Sequence, residues 1–217
     1  MKKILLTLCA VVCTVAVASA QLKLKPFEPT VKYRGEISIG GAFSGTAHVD
    51  AIVDAKFNVS LSRPFLETVH GVMISDYIFV GAGVGLQYYA GKLGDLQNYY
   101  EFAPESLNTL TVPIFVNVKG FLPLNNNIKP FINLGLGGSV VACTDLAIVE
   151  NTYGHKHAYD VDGGFYCDFG AGVEYKRWSV GIGLQHQRMS LTEGYDSDVE
   201  EAPIYFNSFY IKLGVSF

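Results

Sequence analysis

Basic residues are in short supply. The 217-residue chain holds 16 Lys and Arg against 20 Asp and Glu, and without Lys2 and Lys3, which fall in a leader, 14 basic residues face 20 acidic ones. No basic stripe exists to neutralise phosphates, so nucleic acid is excluded as a partner. Cysteine is scarcer, at four. Cys9 and Cys13 fall in the same leader, and Cys143 and Cys167 alone do not make a disulfide scaffold. After the leader, no run approaches the roughly 20 apolar residues that a spanning helix requires. Glycine-rich stretches are present, but no helical pattern follows any of them, which excludes a phosphate-cradling loop. Yet 49% of the chain is hydrophobic and the mean hydropathy is +0.25. Apolar residues on alternate positions reconcile the two, because no segment then needs to be continuously apolar.

Residues 1–20 read as an export signal. Lys2 and Lys3 precede an apolar run over 4–17, and Ala18-Ser19-Ala20 supplies a small-x-small cleavage site. Cleavage is expected before Gln21, which leaves one domain over 21–217. Leu8 and Val12 precede the two leader cysteines where a lipidation site would want a small residue.

Period-two alternation then predicts eight strands, over 32–43, 57–74, 77–89, 109–121, 129–142, 165–175, 178–189 and 204–217. The last is the clearest: Phe209, Ile211, Leu213, Val215 and Phe217 share one face, and Tyr210, Lys212, Gly214 and Ser216 the other. In the third, Val80, Ala82, Val84 and Leu86 alternate with Gly81, Gly83, Gly85 and Gln87. In the seventh, Val180, Ile182 and Leu184 alternate with Ser179, Gly181, Gly183 and Gln185. Short connections at 75–76, 123–127 and 176–177 alternate with long polar ones at 44–55, 90–108, 143–164 and 190–203. Short turns at one rim and long loops at the other mark an all-β, eight-stranded antiparallel up-and-down transmembrane β-barrel, apolar outside and small or polar inside. Tyr33, Tyr77, Tyr175, Trp178 and Phe217 are expected in a turn-side aromatic girdle, and Tyr88, Tyr89, Tyr99, Tyr100 and Tyr205 towards the loops. Pro113 and Pro130 are expected near rims or bulges, since a closed sheet has no free edge for proline.

The segments 67–72 and 77–85, Thr111-Val112-Pro113-Ile114-Phe115 and the closing strand over 210–217 resemble small outer-membrane proteins of the porin/OmpA-like β-barrel superfamily. The resemblance implies a Gram-negative outer-membrane location, with extracellular loops and periplasmic termini. It also implies a monomer surrounded by outer-membrane lipid and lipopolysaccharide, inserted by the barrel-assembly machinery. Tyr210, Gly214, Val215 and Phe217 stand where that family carries its C-terminal assembly signal, with Gly214 closer to the end than the commoner spacing. Members of the superfamily include adhesins, surface-stability proteins, small pores and a few lipid-modifying enzymes.

Arg34, Glu36, Lys119, Asp168, Glu174 and Lys212 all fall on the inward parity, and inward charges are expected to pair with one another. Lys212 is expected to meet Glu36 on the adjoining strand. A paired plug, with Phe115, Tyr166 and Tyr210 filling space, favours a structural or surface-interaction role. The alternative is a narrow channel for ions or small solutes lined by the same charges. A lipid-modifying enzyme is the third reading: His186 faces outward with Ser190 just beyond it, but no carboxylate stands by to orient the ring. His155 and His157 with Asp160 and Asp162, and the acidic stretch from Glu193 to Glu201, read as solvated loops. Neither a catalytic residue, a metal site nor a cofactor is expected. Cys143 is expected to face inward and Cys167 outward, which predicts two free thiols.

Overall fold

Alternation places the chain's apolar side chains on one surface and its glycines and polar groups on the other. The computed structural model describes residues 30–50, 54–92, 106–123, 127–146, 149–150, 156–157, 159–193 and 201–217. The leader over 1–20, Tyr99, Tyr100 and His155 lie outside the described residues. Eight long strands follow one another: β1 (Val31–Asp50), β2 (Asp54–Ile74), β3 (Ile78–Lys92), β4 (Ser106–Phe121), β5 (Ile128–Leu146), β6 (Phe165–Tyr175), β7 (Trp178–Glu193) and β8 (Glu201–Ser216). Each pairs antiparallel with the next, and β8 returns to β1 from Val49↔Ile204 to Glu36↔Ser216. The ring is closed, so the sheet presents no edge in the apolar zone. The short segment Tyr159–Asp162 carries the line of β6 past Gly163 and Gly164 and pairs with the loop-side end of β7.

Several strands outrun the expected boundaries on the loop side. The connection expected over 44–55 is mostly strand: β1 reaches Asp50 and β2 begins at Asp54, with a register shift between Ser44 and Thr46. The excess is polar. Outside lipid, pairing needs a neighbour but no apolar face, so these extensions carry no hydrophobic period to read. A second register shift, between Leu110 and Thr111, sets Leu110 opposite Cys143 and Thr111 opposite Val141. That shift turns Cys143 to the exposed side, against the inward facing expected of it. Cys167 stands opposite Leu136, seven residues along β5 from Cys143. That is roughly 23 Å of strand, far beyond disulfide reach, and both thiols are free.

On β3 the outward run from Ile78 to Tyr88 matches the roughly 9–11 residues a tilted membrane strand needs. Tyr33, Tyr175, Trp178 and Phe217 ring its turn side, while Phe43, Tyr88, Phe165 and Phe209 lie towards the loops, all exposed. Tyr89, expected in the second girdle, is instead fully buried inside. Its neighbour Tyr88 took the outward position, and adjacent strand residues cannot share a face. Pro130 lies near the turn-side rim, as expected. Pro113 lies within β4 opposite Ser139, two residues from the register shift between Leu110 and Thr111 and where the β3–β4 pairing is interrupted between Ile114 and Thr111. An interrupted ladder needs no donor from proline.

The interior is not merely small and polar. Phe65, Phe79, Phe115, Phe121, Phe131, Tyr166 and Tyr210 are all buried there. Glycines on neighbouring strands make the room. A Cβ added to Gly83 would stand 2.6 Å from the Phe115 ring. Gly40, Gly172 and Gly183 lie in the same way against Phe65, Phe131 and Tyr210. Gly83→Ala should therefore cost about 1–3 kcal/mol by overpacking, read as a lowered urea midpoint of the refolded protein. An unchanged midpoint would mean that the Phe115 ring is not seated on Gly83.

Candidate functional site

Among the described residues the lumen gathers eight buried or nearly buried charges, four of each sign: Arg34, Arg63, Lys119, Lys212, Glu36, Glu67, Asp168 and Glu174. They occur in three tiers.

In the turn-side tier, Arg34 of β1 reaches across to Glu174 of β6 through both terminal nitrogens, and its Nη2 lies 3.7 Å from Glu36. Lys119 of β4 donates to Glu36 Oε1 at 2.5 Å. The guanidinium lies 5.0 Å from the Phe121 ring centroid, and the Lys119 ammonium 5.0 Å from that of Phe131. Two cations and two carboxylates thus neutralise one another against aromatic faces, which a low-dielectric interior requires.

The middle tier sets two carboxylates against one cation. Lys212 Nζ lies 3.9 Å from both Glu67 and Asp168. Neutral donors supply the remainder: Tyr166 donates to Glu67 at 3.2 Å, Gln87 to Glu67 at 3.5 Å, Asn133 to Asp168 at 2.6 Å, and Tyr210 to Asp168 at 3.4 Å.

In the loop-side tier, Arg63 donates to the Tyr89 hydroxyl and the Gln185 carbonyl. Tyr89 donates to Gln187 at 2.5 Å, and Gln187 to Ser139 at 2.6 Å. Ser44 and Ser208 share a hydrogen bond of 2.5 Å nearer the loops.

All six charges expected inside are inside, and each has an opposite charge beside it. One pairing differs from expectation. Lys212 meets Glu67 and Asp168, while Glu36 is met by Lys119 and Arg34. On the adjoining strands Glu36 stands opposite Ser216, four residues from Lys212, or roughly 13 Å of strand. Arg63 and Glu67 are not among the expected charges, because Pro64 between them reads as a bulge or a loop-side extension of the second strand. The alternation of Arg63, Phe65, Glu67 and Val69 against Pro64, Leu66 and Thr68 was the available signal.

Of the C-terminal positions, Tyr210 and Gly214 face inward, whereas Val215 and Phe217 face outward with the Phe217 ring over Gly35. His186 lies on the outer wall, 2.9 Å from Asn207 Oδ1 and between the rings of Phe165 and Tyr205, and Ser190 is buried. His157 belongs to a two-residue strand paired with Val149.

No protein-family model matches the sequence, and no curated protein does. Among the solved structures that superpose on nearly all of it are two outer-membrane proteins. The crystal structure of the outer membrane protein OprG from Pseudomonas aeruginosa does so with a TM-score of 0.56 and 10% identity, covering 90% of this chain and 99% of that one. The solid-state NMR structure of the outer membrane protein AlkL in DMPC lipid bilayers does so with a TM-score of 0.52 and 14% identity, covering 90% and 93%. The fold is that of the small outer-membrane β-barrels. Within an outer-membrane-type barrel the outward apolar belt is the lipid-facing surface, and the three tiers occupy the place of a pore.

Proposed function

We propose that the chain is an integral outer-membrane protein whose lumen is a structural plug and whose role is structural or surface-interacting rather than catalytic. In this reading the loops are extracellular, the termini periplasmic, and the barrel a monomer in outer-membrane lipid and lipopolysaccharide. The barrel-assembly machinery would read the strand carrying Tyr210, Gly214, Val215 and Phe217. The observation that carries the plug is the turn-side tier, where Arg34, Glu36, Lys119 and Glu174 join β1, β4 and β6 across the lumen. An ion following the axis would have to break these pairs.

The channel is the second reading, and one observation favours it. Glu36 Oε2, Gln87 Oε1 and Asn117 Oδ1 are buried acceptors without a hydrogen-bond partner among the described residues, and such groups normally hold water. Conductance of the refolded protein in a planar bilayer separates the two. The plug predicts no stable unitary current at moderate voltage, while steady ohmic steps would replace it with the channel.

A further inference from the structure

A charge buried behind an apolar wall is stable when an opposite charge lies beside it. Seven of the eight lumen charges meet that condition. Arg63 does not: it is 1% exposed, and no carboxylate among the described residues forms an ion pair with it. Its partners are neutral, and their chain runs outward from the guanidinium. Arg63 donates to Tyr89, Tyr89 to Gln187, Gln187 to Ser139, and Ser139 to the Gly164 carbonyl at 3.4 Å. The positive charge is dispersed along this chain and over the Tyr89 ring, 4.6 Å away, and among the described residues no carboxylate neutralises it. Two of the five N–H donors of a guanidinium are used, towards Tyr89 and Gln185, and Nε has no partner. An unused Nε–H beside an Nη–H is a side-on fork, whose spacing fits the two oxygens of a carboxylate or a phosphoryl group.

We propose that Arg63 is the centre of an oxyanion-binding site in the loop-side tier of the lumen. The site takes the carboxylate or phosphoryl group of a small soluble ligand. A lipid phosphate is the wrong source, because Arg63 points inward behind the wall. The oxyanion supplies the missing charge, Nε–H and its neighbouring Nη–H hold it, and Tyr89 and Gln185 keep the guanidinium oriented. The inference goes beyond the structural role and stands whether or not the lumen conducts, since an anion can be held without being passed.

The test uses the full mature chain, refolded in micelles, with 15N-labelled arginine. The chain has four arginines, and Arg63→Lys identifies the Arg63 signal by its loss. Sodium acetate and sodium phosphate are titrated against sodium chloride at matched ionic strength. The expected result is a saturable downfield shift of the Arg63 Nε–H with acetate, phosphate or both, and none with chloride. Acetate alone would mark the site for carboxylates, phosphate alone for phosphoryl groups. The effective oxyanion should also raise the thermal midpoint of the parent and of Lys32→Met, a rim cation, but not of Arg63→Met, whose affinity should fall by about tenfold or more. If Arg63→Met does not refold, the titration of the parent decides alone. No saturable shift at Arg63 with either oxyanion, or a midpoint still raised in Arg63→Met, overturns the proposal.

Discussion

Lys119→Met should destabilise the refolded barrel by about 3–5 kcal/mol, because it leaves Glu36 buried without its nearest cation. Glu36 is 4% exposed and Lys119 2%, so the stranded carboxylate stays in a low-dielectric interior away from bulk water. Glu36→Gln added to Lys119→Met should recover much of the loss, since neither charge is then stranded and Arg34 keeps Glu174. The measurement is denaturant unfolding of parent, both single variants and the double variant in lipid vesicles. A Lys119→Met variant as stable as the parent would show that the ion pair does not hold the lumen closed, and the plug would lose its main support.

Leu213→Arg should strongly reduce folding yield into vesicles. Leu213 is 54% exposed and central in the outward run from Phe209 to Phe217, where arginine costs about 2–4 kcal/mol near the midplane. Phe217→Arg, at the turn-side rim of the same face, should be much milder, since the cost falls towards the interface. Comparing both variants with the parent fixes both facing and depth. Equal yields for all three would mean that this face of β8 does not meet hydrocarbon.

Where sequence and structure differ, the cause for Cys143 lay beyond its own strand, whereas Tyr89, Arg63 and Glu67 carried a parity legible within theirs. Tyr89 looked like a girdle residue because a Tyr-Tyr pair sits near a strand end, yet only one of two successive residues can face outward. The parity of Cys143 along its own strand points inward, and a one-residue register shift against β4 reverses it. Arg63 and Glu67 carry a readable parity, but the proline between them reads as a bulge or a loop-side extension, where parity is not counted. Pro64 belongs to a stretch where the β2–β3 pairing skips from Ser62 to Phe65, so it interrupts one ladder without ending the strand.

By itself the sequence determined the class of fold, the number of strands, and which side of the wall holds Arg34, Glu36, Lys119, Asp168, Glu174 and Lys212. Those are consequences of a period of two, which each strand carries alone. Only the tertiary structure decided which charge meets which. Partners across a lumen come from strands distant in sequence, as Glu36 of β1 and Lys119 of β4 do. Their relative heights follow from the tilt and stagger that closure imposes on the whole ring. The same stagger leaves Arg63 beside neutral groups while two carboxylates share Lys212. No local pattern encodes that uneven distribution, because it is a property of the closed barrel and of no strand within it.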